Sequence, residues 1–192
     1  MEYQIEPDVS AACYFYAMAA TNSCKAIVKN VHFDSMQGDI QFVRLLEKMG
    51  CMVEDTENGI EVLGPEKGEL RGVDIDMNNF SDQALTLAAI APFANSPVVI
   101  RNVAHLRGQE CDRLHAMATE LTRMGVSVKE GEDAIVIFGG DVNPAEIETY
   151  DDHRVAMAFT VTGIASEGIV IKNPMCCKKT FEEYFEVVES LC

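Results

Sequence analysis

Three stretches of this chain are apolar almost without a break and rich in small residues: "SAACYFYAMAA" (10–20), "QALTLAAIAPFA" (83–94) and "VAMAFTVTGIA" (155–165). Each predicts an apolar helix. Pro92 lies inside the second and predicts a kink there or an early end. Each stretch follows an acidic residue at a helix start, Asp8, Asp82 or Asp152, and leads to a β-type run closed by a basic residue and asparagine: "AIVKN", "VVIRN", "IVIKN". The Asp-to-Asn spacings are 22, 20 and 21 residues.

A second, amphipathic pattern follows each run: "DSMQGDIQFVRLLEKMG", "GQECDRLHAMATELTRMG" and "KTFEEYFEVVESLC". In the second of these Leu114, Met117, Ala118, Leu121 and Met124 share a face at helical spacing. Gly50 and Gly125 stand where a left-handed C-terminal cap belongs. Thr180 with Glu183 three residues on reads as a capping box. Two alternating segments then predict hairpins, "CMVEDTENGIEVLG" and "VSVKEGEDAIVIFG"; Ile135 and Ile137 face one way, Val136 and Phe138 the other. Gly50 to Ile60 and Gly125 to Ile135 both span 10 residues.

The plan is therefore a strand–helix–strand–helix–strand–strand unit, repeated over about 1–65, 72–140 and 146–192. The third copy stops at Cys192, where its hairpin should begin. Repeat folds bury their faces against neighbours, so another chain segment is expected to supply the missing piece, or the chain is a fragment. Gly and Pro mark the unit boundaries but no long linker does, so one domain over 1–192 is expected.

Composition narrows the class. At 48% hydrophobic and 24% charged residues the chain reads as soluble and globular, without a membrane-length apolar run or a signal-peptide start. Seven cysteines, with no Cys-x-x-Cys spacing, read as reduced thiols of a cytoplasmic protein, and the Cys176–Cys177 pair as incidental. His32, His105, His115 and His153 show no paired metal-ligand spacing. A net charge of −16 disfavours nucleic acid and anionic membranes as partners. Against that background "TYDDHRVAMAF" stands out, with Asp151, Asp152, His153 and Arg154 packed before an apolar helix.

"DSMQGDIQFVRLLEKMG", "DIDMN", "SDQALTL", "IRNVAHLRGQECDRLHAMATEL", "TYDDHRVAMAF" and "KKTFEEYF" together resemble the 5-enolpyruvylshikimate-3-phosphate synthase family (3-phosphoshikimate 1-carboxyvinyltransferases), in order along essentially the whole chain. The resemblance implies an α/β (α+β repeat) fold of βαβαββ units, helices bundled inside and sheets outside. Members of that family are longer, with two such domains. This chain resembles the C-terminal one, so a missing N-terminal domain of the same enzyme is the implied partner. The implied reaction moves the enolpyruvyl group of phosphoenolpyruvate to the 5-hydroxyl of shikimate 3-phosphate. It releases phosphate, serves aromatic amino acid biosynthesis and needs no cofactor and no metal.

By resemblance, the catalytic residues are Glu110, which serves the methylene carbon as acid/base, Asp82, which contacts the substrate hydroxyl as its base, and His153, which sits beside the phosphoenolpyruvate phosphate and assists proton transfer. Arg113, Arg154 and Lys179 match the phosphoenolpyruvate-binding cations. Asp82, His105 and Gln109 fall on the shikimate 3-phosphate side, where the family usually has Asn and Lys in place of His105 and Gln109. Cys111 replaces a usual Thr or Ser. Each residue also has a plainer reading. Glu110 and Asp82 would favour a helix dipole, the second behind a Ser81 cap. The cations would be solvated surface charges. His153 would be a cap residue, and Asp151 and Asp152 would cap the helix and orient Arg154. Cations at helix starts run against the dipole preference, which favours the anion-site reading. Three other readings remain: an enolpyruvyl transferase acting on a UDP-amino sugar, an RNA 3′-phosphate cyclase-like protein disfavoured by the charge, and a non-catalytic anion-binding module.

Overall fold

Helix α1 (Val9–Asn22) begins at Asp8, whose side chain accepts the Ala11 N–H at 3.2 Å. That bond satisfies one of the orphan donors at the helix start. Its equivalents are α3 (Ala84–Ile90) and α5 (His153–Ala165). All seven residues of α3 are buried, as are nine of α5 from His153 to Thr162. Helices apolar on every side must sit inside, and these three pack on one another as the centre of the computed structural model, which describes residues 5–191. Thr162 Oγ1 donates to the Ala89 carbonyl at 2.8 Å and ties α5 to α3. Pro92 ends α3 early: the chain passes into a 3₁₀ turn, Ala91–Phe93.

The amphipathic helices α2 (Gln41–Lys48), α4 (Arg113–Arg123) and α6 (Tyr184–Leu191) lay one face on this centre. The sheets lie outside. In the first, β1 (Lys25–Lys29) pairs antiparallel with β3 (Gly59–Leu63), which pairs with β2 (Met52–Thr56). The second runs β4–β5–β7–β6, from β4 (Asp74–Asp76), β5 (Val98–Arg101), β6 (Val128–Glu130) and β7 (Ile135–Ile137). Its register sets buried Ile135 opposite Ile100 and buried Ile137 opposite Val98, so the alternation read from sequence is the inward face. The third holds β8 (Ala145–Ile147) parallel to β9 (Ile169–Ile171). The internal helices are the crossovers of the β4–α3–β5 and β8–α5–β9 units.

The repeat extends to backbone detail. Asn30, Asn102 and Asn173, which close the three "KN/RN" strands, all have positive φ (62°, 59° and 47°). Asparagine tolerates this left-handed turn better than most side chains. Gly64 and Gly139 follow β3 and β7 at the same place in their units. A Cβ at either would collide with the carbonyl oxygen of Ala19 or Ala94, near the end of the internal helix. That steric rule, not turn geometry, demands glycine there.

Two expectations fail or fall outside. The capping box at Thr180 does not form. Pro174–Lys179 takes a 3₁₀ turn that Thr180 closes through its N–H to the Cys177 carbonyl (3.0 Å), and α6 starts only at Tyr184. The opening strand of the first unit would fall on residues 1–7; residues 1–4 lie outside the described residues, and 5–7 form no strand. Cys192 also lies outside them, and the other six cysteines are free thiols. Among the described residues no helix is long and apolar enough to cross a membrane.

Candidate anion and proton-transfer site

The starts of the three internal helices meet at one end of the bundle, joined by shared carboxylates. Asp39 accepts from Ser10 Oγ at the start of α1 and from Gln83 Nε2 (2.8 Å) just before α3. Asp82, on the kinked 3₁₀ segment Asn78–Gln83, accepts from Arg154 at the start of α5 (2.9 Å). Helix N-termini gathered this way present N–H groups and positive dipole ends to one space.

Two linked clusters line that space. In the first, Arg113 donates through Nε to Asp152 Oδ2 (2.8 Å) and through Nη2 to Asp152 Oδ1 (3.3 Å). Its Nη1 reaches Asp82 Oδ1 at 3.3 Å, so Asp82 bridges Arg113 and Arg154. The Arg113 and Asp152 side chains are only 4% and 0% exposed. In the second, Glu110 Oε2 accepts from Lys179 Nζ at 2.7 Å and faces His153 Nδ1 at 3.2 Å. This cluster is more open, with Lys179 52% and Glu110 37% exposed.

The electrostatics follow from burial set against partners. Burial works to raise the Asp152 carboxyl, but Arg113 and the Arg154 N–H outweigh it and hold Asp152 below its ordinary value. Burial also works to raise Glu110, and Lys179 and His153 more than offset it. Burial lowers the His153 pKa, against the opposing pull of Glu110 and Asp152. His153 is therefore neutral at neutral pH. A carboxylate can only accept, so Nδ1 carries the proton toward Glu110 and Nε2 keeps a lone pair. Cys111, 3.6 Å from Asp152 Oδ2, is pushed up to about 12 by burial and that carboxylate, so it is a thiol, not a nucleophile.

The network thus gathers Asp82, Glu110, Arg113, His153, Arg154 and Lys179. His105 stands at its margin: its Nε2 pairs with Ser81 Oγ at 2.7 Å, one residue from Asp82. Gln109 is next to Glu110 in the chain, yet it is exposed and hydrogen-bonds to none of these residues.

Several plainer expectations do not hold. Ser81 does not cap α3; it pairs with His105. Glu110 does not serve the α4 dipole; Asp112 is that N-cap, accepting the His115 N–H at 2.9 Å. Asp152 caps α5 through the Arg154 N–H (2.9 Å), but its carboxylate orients the Arg113 side chain, not that of Arg154. Asp151 is no cap; it accepts from Asn173 Nδ2 at 3.2 Å. Asp39, Ser10 and Gln83 were not singled out from sequence, because nothing local distinguishes them from ordinary polar residues.

Donor atoms of Glu110, Asp152 and His153 lie within 4.8 Å of one another, a grouping that histidine spacing alone does not reveal. Asp152 is already saturated by Arg113 and a backbone N–H, and Glu110 is paired with Lys179. A cation there would have to displace a resident one, so the donor set fits proton transfer and anion binding better than metal.

The EPSP synthase (3-phosphoshikimate 1-carboxyvinyltransferase) family profile matches residues 1–188. A 3-phosphoshikimate 1-carboxyvinyltransferase of Nostoc punctiforme is 54% identical over 183 residues, covering 95% of this chain and 42% of the relative. A chloroplastic one of Brassica napus is 46% identical over 193 residues, covering 97% of this chain and 37% of the relative. Among solved structures, an EPSP synthase from Acinetobacter baumannii superposes with TM-score 0.85 at 25% identity, over 97% of this chain and 46% of that one. The chain thus spans under half the length of these relatives.

Proposed function

Because this chain belongs to the EPSP synthase family, we propose that it is the C-terminal domain of an enzyme that transfers the enolpyruvyl group of phosphoenolpyruvate to the 5-hydroxyl of shikimate 3-phosphate. The observation that carries the reading is Glu110, one carboxylate shared by Lys179 and His153 beside the Asp82-bridged arginine pair.

In this reading, Arg113, Arg154 and Lys179 receive the phosphate and carboxylate of phosphoenolpyruvate. The incoming anion draws Lys179 away from Glu110, whose pKa then rises under burial. Glu110 is thereby suited to give the methylene carbon its proton. The shikimate hydroxyl attacks the adjacent carbon as Asp82 accepts its proton, forming a tetrahedral adduct. Return of the methyl proton to a carboxylate expels phosphate and restores the double bond. His153, neutral with Nε2 free, helps hold the phosphate and relay the proton. His105 and Gln109 face the shikimate 3-phosphate side. No cofactor or metal enters these steps.

The units over 1–65, 72–140 and 146–192 act as one domain in this reading, and the N-terminal domain of the same protein closes the cleft. The third sheet has only two strands among the described residues, and half-exposed Val170 lies on β9, so strands from the rest of the protein complete it. A cytoplasmic setting suits such phosphorylated substrates; the Brassica napus relative is chloroplastic.

The test is phosphate release from phosphoenolpyruvate plus shikimate 3-phosphate. Release is expected from the full-length protein, or from this chain mixed with the remaining half, and not from this chain alone. No release from a mixture shown to associate would sink the reading. Gln109 carries no charge where the family has lysine. Gln109→Lys in the full-length protein is therefore expected to tighten shikimate 3-phosphate binding about ten- to a hundredfold, the worth of one charge-assisted hydrogen bond. Titration calorimetry giving an unchanged or weaker affinity would remove Gln109 from that subsite.

A further inference from the structure

The turn that delivers "DDHR" to the site is built against the preferences of its own residues. The Thr149 carbonyl accepts the Asp152 N–H at 2.8 Å, and the two central residues, Tyr150 and Asp151, both have positive φ (54° and 56°). That is the type I′ arrangement, which favours Asn-Gly or Asp-Gly. A tyrosine in the left-handed region is an outlier. Such strain persists only where the surroundings over-determine it, and it gathers at functional sites.

The surroundings here are specific. Glu120, fully buried on α4, accepts from the Tyr150 hydroxyl at 2.7 Å and from the Glu148 N–H at 3.2 Å. Arg123 Nε neutralises it at 2.8 Å. Glu120 lies seven residues after Arg113, two helical turns along the same face. Helix α4 therefore grips the segment 148–152 twice: Glu120 holds Glu148 and Tyr150, and Arg113 holds Asp152. Asn173 fixes the remaining turn residue, Asp151. Neither Glu120 nor Tyr150 hydrogen-bonds to Asp82, Glu110 or Lys179. The residues just past the grip, His153 and Arg154, do reach Glu110 and Asp82.

We propose that Glu120 and Tyr150 are positioning residues, whose hydrogen bond holds the strained 149–152 turn and so aims His153 and Arg154 into the anion site. The inference rests on the function proposed above. A small misplacement of catalytic groups costs up to about a hundredfold in rate, so the grip sets activity without meeting substrate.

The experiment uses the full-length protein. Wild-type turnover is measured first; its absence would count against the function, not against the grip. Tyr150→Phe keeps the ring and removes the hydroxyl. It is expected to lower kcat/KM for phosphoenolpyruvate about ten- to a hundredfold, with KM for shikimate 3-phosphate moving less than about twofold. Tyr150→Gly should lose less activity than Tyr150→Phe, because glycine adopts positive φ without a clamp. Independently of turnover, the His153 imidazole resonance should shift in Tyr150→Phe at a temperature where both proteins are folded. Glu120→Leu, which removes the acceptor at similar volume, repeats both readings should the first variant not fold. Kinetic constants within twofold of wild type, or an unmoved imidazole signal where wild type shows no turnover, would overturn the proposal. A lowered melting temperature alone would reduce the pair to a stability contact.

Discussion

Arg113→Met in the full-length protein is expected to cost about 3–5 kcal/mol of stability, the penalty of leaving a buried charge without its partner. Asp152 is fully buried, and Arg113 supplies two of its hydrogen bonds. Urea unfolding followed by circular dichroism measures the loss. The acid limb reports the same pair. In wild type the folded Asp152 pKa lies below its unfolded value of about 3.9, so the group stabilises above that pH and the contribution is lost as pH falls through the folded pKa. Without Arg113 the largest remaining influence is burial, which raises the carboxyl. In the variant the sign reverses: a folded-state pKa above the unfolded value makes protonation relieve the buried charge, so the deficit relative to wild type should be largest at neutral pH and shrink as pH falls. A cost below about 1 kcal/mol would mean that the pair behaves as an exposed one.

Glu110→Gln is expected to leave the phosphoenolpyruvate KM near its wild-type value and to lower kcat by about 10²–10⁴, the usual worth of a positioned acid/base. Glutamine fills the same space and can still accept from Lys179 and His153, so a binding role would survive the change. A proton-handling role would not. The two are separated by steady-state kinetics: retained kcat with raised KM would place Glu110 among the binding groups. In the same variant the His153 pKa should fall further, because Glu110 now holds it up against burial.

Much of this architecture is legible along the chain, for identifiable reasons. The inner helices are readable because α3 has no polar side at all, and the hairpins because Ile135 and Ile137 alternate with Val136. The Thr180 start was misread because a capping pattern is local, while Pro174 turns the chain into a 3₁₀ segment instead. The site follows the same division. Residue types and motif order single out the charged groups, but not their pairings. Asp152 and Arg113 are 39 residues apart in sequence, and Glu110 and Lys179 are 69 apart. Such partnerships exist only once the units pack. Asp39 and Glu120 were missed for the same reason: each is an ordinary helix acid until a neighbouring unit supplies its donors.

The convergence of three helix starts at one end has a kinetic consequence. Their positive ends act only over the first turn, whereas the chain as a whole carries a net charge of −16. A polyanion diffusing toward this half meets repulsion at long range and attraction only over the last few ångströms. Salt screens the first far more than the second, because the Debye length is about 8 Å at physiological ionic strength and buried charges are shielded less. Added salt should therefore speed encounter with this half, the opposite of its effect on proteins that steer anions across open water.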